Sequence, residues 1–102
     1  MLDLGIVITS YNTRDLLRTC LRSVYASQGD FTFEVCVVDN ASPDGSAEMV
    51  AAEFPQARLI ANAGNVGYPS ANNQGLRAFG FAEAPDARPQ TPYPPLRVRL
   101  PR

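Results

Sequence analysis

Three short apolar runs, each followed by a segment with a helical pattern, are the features that most constrain the fold of this chain. The runs span residues 4–9, 33–38 and 57–61 and are rich in aliphatic and β-branched side chains. Such runs predict strands, and a nearly continuous apolar run is typical of a strand covered on both faces. Strands that alternate with helices connect through right-handed crossovers, which predicts a parallel sheet with helices on its faces.

The first helix is predicted over residues 13–26, where apolar side chains recur at helical spacing. Its apolar face comprises Leu16, Leu17, Cys20, Leu21, Val24 and Tyr25. We expect Asn12 to cap this helix, with Asp15 completing a capping-box pattern. Cys20 and Cys36 both lie within apolar patterns, which predicts buried free thiols rather than a disulfide.

Two further helices are predicted from the residues at their ends. Ser42 as the N-cap and Pro43 at the first helical position would begin the second helix, and Pro55 would end it. A loop that contains glycine then leads to a third helix over residues 69–79. The fold class is therefore α/β, with a parallel sheet of about three strands and helices on its faces.

The composition changes sharply at residue 84. Residues 84–102 contain six prolines and four arginines among nineteen residues, and proline at this density excludes both a helix and a central strand. We therefore expect one domain over residues 1–83, followed by an irregular tail over residues 84–102. The segment PYPP within this tail hints at a proline-rich recognition peptide, which is the alternative interpretation.

The net charge and the hydropathy of the chain argue against some classes of binding partner. The formal net charge of −1 argues against nucleic acid or an anionic membrane surface. No apolar run reaches the roughly 20 residues needed to cross a bilayer, and the start of the chain lacks a signal-peptide pattern, so we expect a cytoplasmic location. The chain contains no histidine, so the commonest acid–base group is missing.

Polar residues follow each of the three predicted strands, at residues 9–12, 39–46 and 62–68. In an open parallel sheet, ligands bind beyond the carboxyl ends of the strands. Hydroxyl, amide and carboxylate groups suit the donors and acceptors of a nucleobase and a ribose, and Asp39 could accept from a base N–H or a sugar hydroxyl. Alternatively, Asp39 and Asn40 form only an Asx-type turn before a helix. The spacing of the residues leaves both interpretations open.

Three segments in this order, IVITSYNTRDLLRTCLRSV, FEVCVVDNASPDGSAEMV and RLIANAGNVGYPSANNQGLRA, resemble the amino-terminal half of a family 2 glycosyltransferase. The resemblance covers about residues 3–78 and is closest to the rhamnosyltransferase-like branch. It implies a truncated, partial GT-A (Rossmann-like) fold. It also implies transfer of a sugar from a UDP- or dTDP-sugar donor to a hydroxyl of an unidentified saccharide or lipid-linked acceptor.

The resemblance further implies that three loops supply the nucleotide-binding residues. Tyr11 would lie against the uracil or thymine ring, where stacking contributes ~1–3 kcal/mol, and Asp39 would bond the base. The full set is Thr9, Tyr11, Asn12, Asp39, Asn40, Ser42, Asn65, Gly67 and Asn73. A structural role remains the alternative for each residue: Tyr11 as a core or helix-staple aromatic, Gly67 as a turn residue, and Asn73 as a solvent-facing residue on its helix.

The family pattern ends at about residues 78–80. Family members resemble one another in a following apolar strand that ends in a D-x-D motif, whose carboxylates hold Mg²⁺ or Mn²⁺ against the donor diphosphate. Here Asp86 is a lone carboxylate, and one carboxylate rarely retains such a metal. We therefore expect the metal ligands to be absent, assign no catalytic residue, and consider that the missing motif argues against turnover by this chain.

Two explanations would account for the missing motif. The residues after about Gly80 are a shifted reading frame, which we favour because the change to proline and arginine is sudden, or the chain is a short protein that retains only nucleotide binding. Resequencing the encoding DNA separates these explanations.

Other functional classes fit the motifs less well. A dinucleotide-dependent dehydrogenase would carry G-x-G-x-x-G after the first strand, but TSYNTR stands there. A phosphate-accepting receiver domain would have acidic residues after the first strand and a lysine late in the sheet, and this chain has neither. The alternative that remains is a non-catalytic half-domain that binds a nucleotide or forms a homo-oligomer through an exposed sheet edge.

Overall fold

The computed structural model describes residues 3–27, 29 and 31–80, and this part of the chain alternates strands and helices. The elements in chain order are β1 (Leu4–Ser10), α1 (Arg14–Ala26), β2 (Phe33–Asp39), α2 (Ser46–Glu53), β3 (Arg58–Ala61) and α3 (Tyr68–Ala78). The strands form one parallel sheet in the order β1-β2-β3. The predicted α/β class and three-stranded parallel sheet are confirmed. The tail over residues 84–102, Asp86 and the proposed boundary at residue 83 lie outside the described residues.

β2 is the centre of the fold because both of its faces are covered. Its residues from Val35 to Val38 have no solvent-exposed surface. On one face, Val35 and Val37 pack in a cluster with residues of α1, of α2 and of its C-cap, namely Leu17, Leu21, Met49, Val50 and Phe54. On the other face, Cys36 and Val38 pack against Ala71 of α3. Burial raises the pKa of the Cys36 thiol, as expected for a thiol in apolar surroundings.

The direction in which the chain crosses the sheet determines which face each helix covers. The crossovers from β1 to β2 and from β2 to β3 move across the sheet in the same direction, so right-handed connections place α1 and α2 on the same face. α3 instead contacts β1 and β2 from the opposite face.

The outer edges of β1 and β3 carry no paired strand within the described residues, and self-association through such an edge stays a prediction.

α3 approaches β1 closely because two glycines face the contact. A Cβ atom added to Gly75 would lie 2.4 Å from Cγ1 and 2.9 Å from Cγ2 of Val7. A Cβ atom added to Gly5 would lie 3.1 Å from the ring of Phe79. Val7 is β-branched and has little rotamer freedom, so it cannot easily turn away. The absence of a side chain at Gly75 therefore sets the distance between the helix and the sheet.

The first cap predictions are wrong. Thr13, not Asn12, is the N-cap of α1, and it makes no side-chain cap hydrogen bond. Asn12 adopts a left-handed backbone conformation with φ of 56°. Asp15 does not reach back to a cap, since its Oδ1 accepts from Arg14 and Arg18. Arginine partners are thus available to Asp15, and they replace the expected capping box.

The start of the second helix was also predicted wrongly. α2 begins at Ser46, with Gly45 as its N-cap at φ of 84°, and not at Ser42 and Pro43. Pro43 lies in a turn that precedes the helix, because Ser42 makes its hydrogen bonds to the neighbouring loops rather than to the helix.

Fewer residues of α1 are buried than the apolar pattern of its sequence predicts. Leu17 and Leu21 are buried, whereas Leu16 and Cys20 are exposed. The prediction of a buried Cys20 is therefore wrong. The helix contacts the core along a narrow stripe that Val24 and Tyr25 continue, and Leu16 and Cys20 lie to one side of this stripe.

We predict that Gly75→Ala lowers the free energy of unfolding by about 1–3 kcal/mol, the usual effect of overpacking. The sign is informative, because alanine is otherwise about 1 kcal/mol better than glycine inside a helix. Urea unfolding followed by circular dichroism measures the change. Ser70→Ala, at an exposed position of the same helix, is the control and should change stability by less than about 0.5 kcal/mol. A more stable Gly75→Ala protein would contradict the close contact.

Candidate functional site

The polar residues that follow the strands meet at one edge of the sheet. Ser10 pairs with Asp39, and Asp39 pairs with Ala61, so the carboxyl ends of the strands are level. Backbone hydrogen bonds continue past these ends, from Asn40 N to Ser10 O and from Asn62 N to Asp39 O, both at 2.9 Å. The structure therefore brings together the three polar loops, in the arrangement that ligand sites of open α/β sheets share.

Asp39 is held firmly at this edge. Its side chain belongs to a residue that is only 2% exposed, and its Oδ1 accepts from the Ser42 hydroxyl at 2.6 Å while its Oδ2 accepts from Ser42 N at 3.0 Å. The Ser42 hydroxyl oxygen in turn accepts from Asn12 N at 2.8 Å. This is the local turn that the alternative interpretation predicted. Because each carboxylate oxygen has two lone pairs, the turn still leaves acceptor capacity for a ligand.

Asn40 points into the protein. It is 2% exposed, its Nδ2 donates to Gly67 O at 3.4 Å, and its Oδ1 accepts from Asn62 Nδ2 at 2.9 Å. These bonds indicate that Asn40 supports the neighbouring loop. Asn62 belongs to the third polar cluster of the sequence, and it is not among the predicted site residues.

Gly67 and Asn65 form the turn that begins α3. Gly67 has φ of 82°, a region that side chains other than glycine rarely adopt, and its N–H donates to Asn65 Oδ1 at 2.9 Å. The geometry agrees with the structural interpretation of Gly67. The nucleotide-binding roles of Asn65 and Gly67 stay predictions.

Thr9 is linked to α3 through a residue that the sequence analysis did not select. Its hydroxyl donates to Asn72 Oδ1 at 2.6 Å, so Asn72 joins α3 to the end of β1, and the nucleotide-binding role of Asn73 stays a prediction. Asn73 is half-buried and also has an interaction partner. Helical spacing could have indicated Asn72, since it lies three residues before Gly75, a buried residue of α3.

Tyr11 follows β1 at the same edge and is 43% exposed. This exposure argues against a core role and leaves ring surface accessible for stacking. Val66 and Tyr68, in the loop and the first turn of α3, are also exposed. The predicted contact of Tyr11 with a nucleobase stays a prediction.

One carboxylate, Asp44, takes the capping role that the sequence analysis gave to other residues. Its Oδ2 accepts from the backbone N–H of Arg14, the first residue of α1, at 2.9 Å. Its Oδ1 accepts from the backbone N–H of Ser46, the first residue of α2, at 3.1 Å and from the Ser46 hydroxyl at 2.6 Å. Asp44 thus satisfies the amino-terminal ends of both helices. The hydroxyl of Ser46 and these backbone donors lower the pKa of the Asp44 carboxyl group below its ordinary value of 3.8.

The described residues do not provide a metal site. Within residues 3–27, 29 and 31–80, the structure shows no group of three or more histidine, cysteine, aspartate or glutamate residues that could hold a metal ion. Asp39 and Asp44 already accept the hydrogen bonds above, and neither belongs to such a group. The side chains of the described residues therefore do not fit a divalent cation. The same part of the chain contains no helix that is long and apolar enough to cross a membrane.

We predict that Asp44→Ala lowers the urea midpoint at pH 7, because two helices lose an amino-terminal acceptor. Asp44→Asn should have a smaller effect, since asparagine retains one acceptor oxygen and is itself a good cap. The folded-state pKa is depressed, so the contribution of the carboxylate is complete above pH 3.8 and is lost as the pH falls through the folded-state value.

Urea titrations at several pH values check this prediction. The difference between the wild type and Asp44→Asn should shrink as the pH falls below 3.8, and Glu48→Gln, an exposed carboxylate of α2, is the control. A difference that stays constant down to strongly acidic pH would contradict the double-cap assignment.

Comparison with known proteins gives a consistent family. The model of the family described as "Glycosyl transferase family 2" matches residues 5–80. Succinoglycan biosynthesis protein ExoO of Rhizobium meliloti (strain 1021) is 39% identical over 77 residues, which cover 74% of this chain and 22% of the relative. The uncharacterized glycosyltransferase YibD of Escherichia coli (strain K12) is 31% identical over 101 residues, which cover 91% of this chain and 29% of the relative.

A solved structure shows the same partial fold. The mannosyltransferase PcManGT from Pyrobaculum calidifontis, in complex with GDP-Man and Mn²⁺, superposes with a TM-score of 0.64 at 28% identity, over 74% of this chain and 24% of that protein. The chain thus spans less than a third of the length of these relatives. The family match and the shared α/β arrangement, a partial GT-A fold, confirm the resemblance that the motifs indicated, and the chain belongs to glycosyl transferase family 2.

Proposed function

We propose that this chain forms the nucleotide-binding part of a family 2 glycosyltransferase that transfers a sugar from a nucleotide-diphosphate-sugar donor to a hydroxyl acceptor. The observation that carries the proposal is the fixed carboxylate of Asp39 at the carboxyl edge of the sheet, with the exposed ring of Tyr11 directly after the neighbouring strand. The family match and a relative that binds a nucleotide-sugar support it.

The chemistry of Asp39 fits a base that presents an N–H group. A carboxylate only accepts hydrogen bonds, so it favours the N3–H of uracil or thymine over an edge that carries acceptors alone. We therefore propose a UDP- or dTDP-sugar donor. Guanine also presents N–H groups, and the mannosyltransferase of similar fold is in complex with GDP-Man, so the guanine nucleotide belongs in the same titration.

The remaining residues of the predicted set divide into two proposed roles. Asn12, Asn40 and Ser42 hold the loops through the hydrogen bonds described above. The others, Thr9, Asn65, Gly67 and Asn73, are proposed to approach the ribose, the phosphates or the sugar. We also retain the proposed division into a binding domain over residues 1–83 and an irregular tail over residues 84–102.

We predict that Asp39→Asn weakens UDP binding at least tenfold, because a hydrogen bond to a charged group typically contributes about 1.5–3 kcal/mol. Asparagine keeps the size of the side chain and one acceptor oxygen, so the loop can still close on Ser42. Calorimetric titration of UDP, dTDP and GDP measures the affinities, with and without Mn²⁺. We expect the metal to change these affinities little, because the described residues hold no suitable cluster.

Glu48→Gln is the matched control for this prediction, since it removes the same charge from an exposed position of α2. Unchanged affinity in folded Asp39→Asn would exclude the assigned role of Asp39. If the wild-type chain binds none of the three nucleotides or their sugars, the proposed function itself fails.

We predict that Tyr11→Ala weakens binding by about 1–3 kcal/mol, the usual contribution of stacking between a base and an aromatic ring. Tyr11→Phe should bind as well as the wild type, because phenylalanine retains the stacking face. The exposed Leu16 of α1 provides the control variant Leu16→Ala, which removes a large exposed apolar side chain elsewhere. Equal affinities of the Tyr11→Ala and Tyr11→Phe proteins would argue against stacking.

A further inference from the structure

Three neutral amide side chains, those of Asn40, Asn62 and Gln74, form a hydrogen-bond network next to the polar edge of the sheet. Asn62 Nδ2 donates to Asn40 Oδ1 at 2.9 Å and to Gln74 Oε1 at 2.8 Å. Gln74 Nε2 donates back to Asn62 Oδ1 at 2.9 Å. Asn62 and Gln74 therefore form a reciprocal pair, and Asn62 uses both its donors and its acceptor within the network.

The network connects parts of the chain that are distant in sequence. Asn40 follows β2 directly, Asn62 follows β3 directly, and Gln74 lies in the middle of α3. Two further hydrogen bonds extend the network to the loops, from Asn40 Nδ2 to Gly67 O at 3.4 Å and from Asn62 N to Asp39 O at 2.9 Å. The orientation of α3 at Gln74 is thus coupled to the position of Asp39.

The chemistry of these groups makes the arrangement specific. Each member both donates and accepts in a fixed geometry, and an amide that is buried cannot easily replace a lost partner. Asn40 is almost fully buried, so water cannot readily replace Asn62 as its donor. An apolar residue at position 74 would remove the partner that fixes the orientation of the half-buried Asn62, and the loops would lose their common anchor.

We propose that Gln74 is a positioning residue for nucleotide binding, which acts through Asn62 and Asn40 to hold Asp39 and the loop at Gly67 at a fixed separation. This inference rests on the proposed function, since it assumes that Asp39 contacts the nucleotide. Gln74 itself does not contact the nucleotide. Its effect on affinity arises because a site that is already ordered loses less conformational freedom on binding.

Gln74→Leu in the full 102-residue chain tests the proposal, because leucine has a similar volume and no hydrogen-bonding groups. We expect UDP to bind about tenfold more weakly to this variant. Gly75→Ala is the matched control, since it disturbs the packing of the neighbouring residue of α3 against Val7 but leaves all three amides in place. At a temperature well below both unfolding midpoints, Gly75→Ala should bind UDP within about twofold of the wild type. Equal losses in the two variants would overturn the proposal in favour of a general loosening of α3.

A double-mutant cycle with Asp39→Asn shows whether Gln74 affects UDP binding by positioning Asp39 or only by stabilising the fold. If Gln74 acts by placing Asp39, the tenfold effect of Gln74→Leu should shrink markedly when Asp39 is already replaced, because coupled residues are not additive. A full tenfold effect in the Asp39→Asn background would overturn the assigned route.

Hydrogen exchange of the free protein distinguishes failure of this inference from failure of the proposed function. We expect the Asn62 backbone N–H, which donates to Asp39 O, to exchange faster in Gln74→Leu and to stay protected in Gly75→Ala. Unchanged protection in Gln74→Leu would overturn the coupling whatever the affinities are. If exchange is faster in Gln74→Leu but the wild-type chain binds no nucleotide, the coupling between Gln74 and Asp39 is supported. The role of this coupling in binding, and the proposed function, are then both rejected.

Discussion

The two-sided burial of β2 determines most of this structure. A strand with no exposed residue from Val35 to Val38 requires a layer of helices on each face, and the direction of winding decides which helix lies where. The same burial explains the polar residues at the end of the strand. Asp39 and Asn40 are still almost fully buried where the ladder stops, so their side chains must be satisfied by hydrogen bonds from the neighbouring loops. Burial of the strand therefore also fixes the side chains at the edge of the sheet where a ligand would bind.

Long-range hydrogen bonds from single side chains hold that edge together. Asp44 closes the amino-terminal ends of both α1 and α2, Ser42 joins the first two loops, and Thr9 joins β1 to α3. On the opposite face, Gly75 allows α3 to pack closely against Val7 of β1. Because each loop is held by a residue from another loop, displacement of one would disturb the others. The order of the edge is therefore a cooperative property of the fold.

The sequence was sufficient to predict the strands and helices, because hydrophobic periodicity is a local signal, and it placed all three polar loops at one edge. It was not sufficient for the details of that edge. The caps at Asn12 and Ser42 were wrong because capping statistics describe neighbours in sequence, whereas Asp44 reaches α1 across thirty residues. Cys20 was expected to be buried because its apolar position resembles that of Leu21, and only the packing of α1 distinguishes them. Gln74 carried a usable signal, since it lies beside Gly75 and three residues after Ala71 on the buried side of a helix.

The two interpretations of Asp39, as a turn residue and as a ligand-binding residue, are compatible in physical terms. A carboxylate that already accepts from Ser42 N and from the Ser42 hydroxyl has lost its freedom to rotate before any ligand arrives. A ligand N–H would then meet an acceptor of fixed direction with lone pairs to spare, and its binding would cost little further ordering. Asp39 is also almost fully withdrawn from solvent, so an incoming donor would replace little bound water. The turn is thus the means by which a flexible side chain becomes a directional one, and this is why a strand buried on both faces can end in a carboxylate.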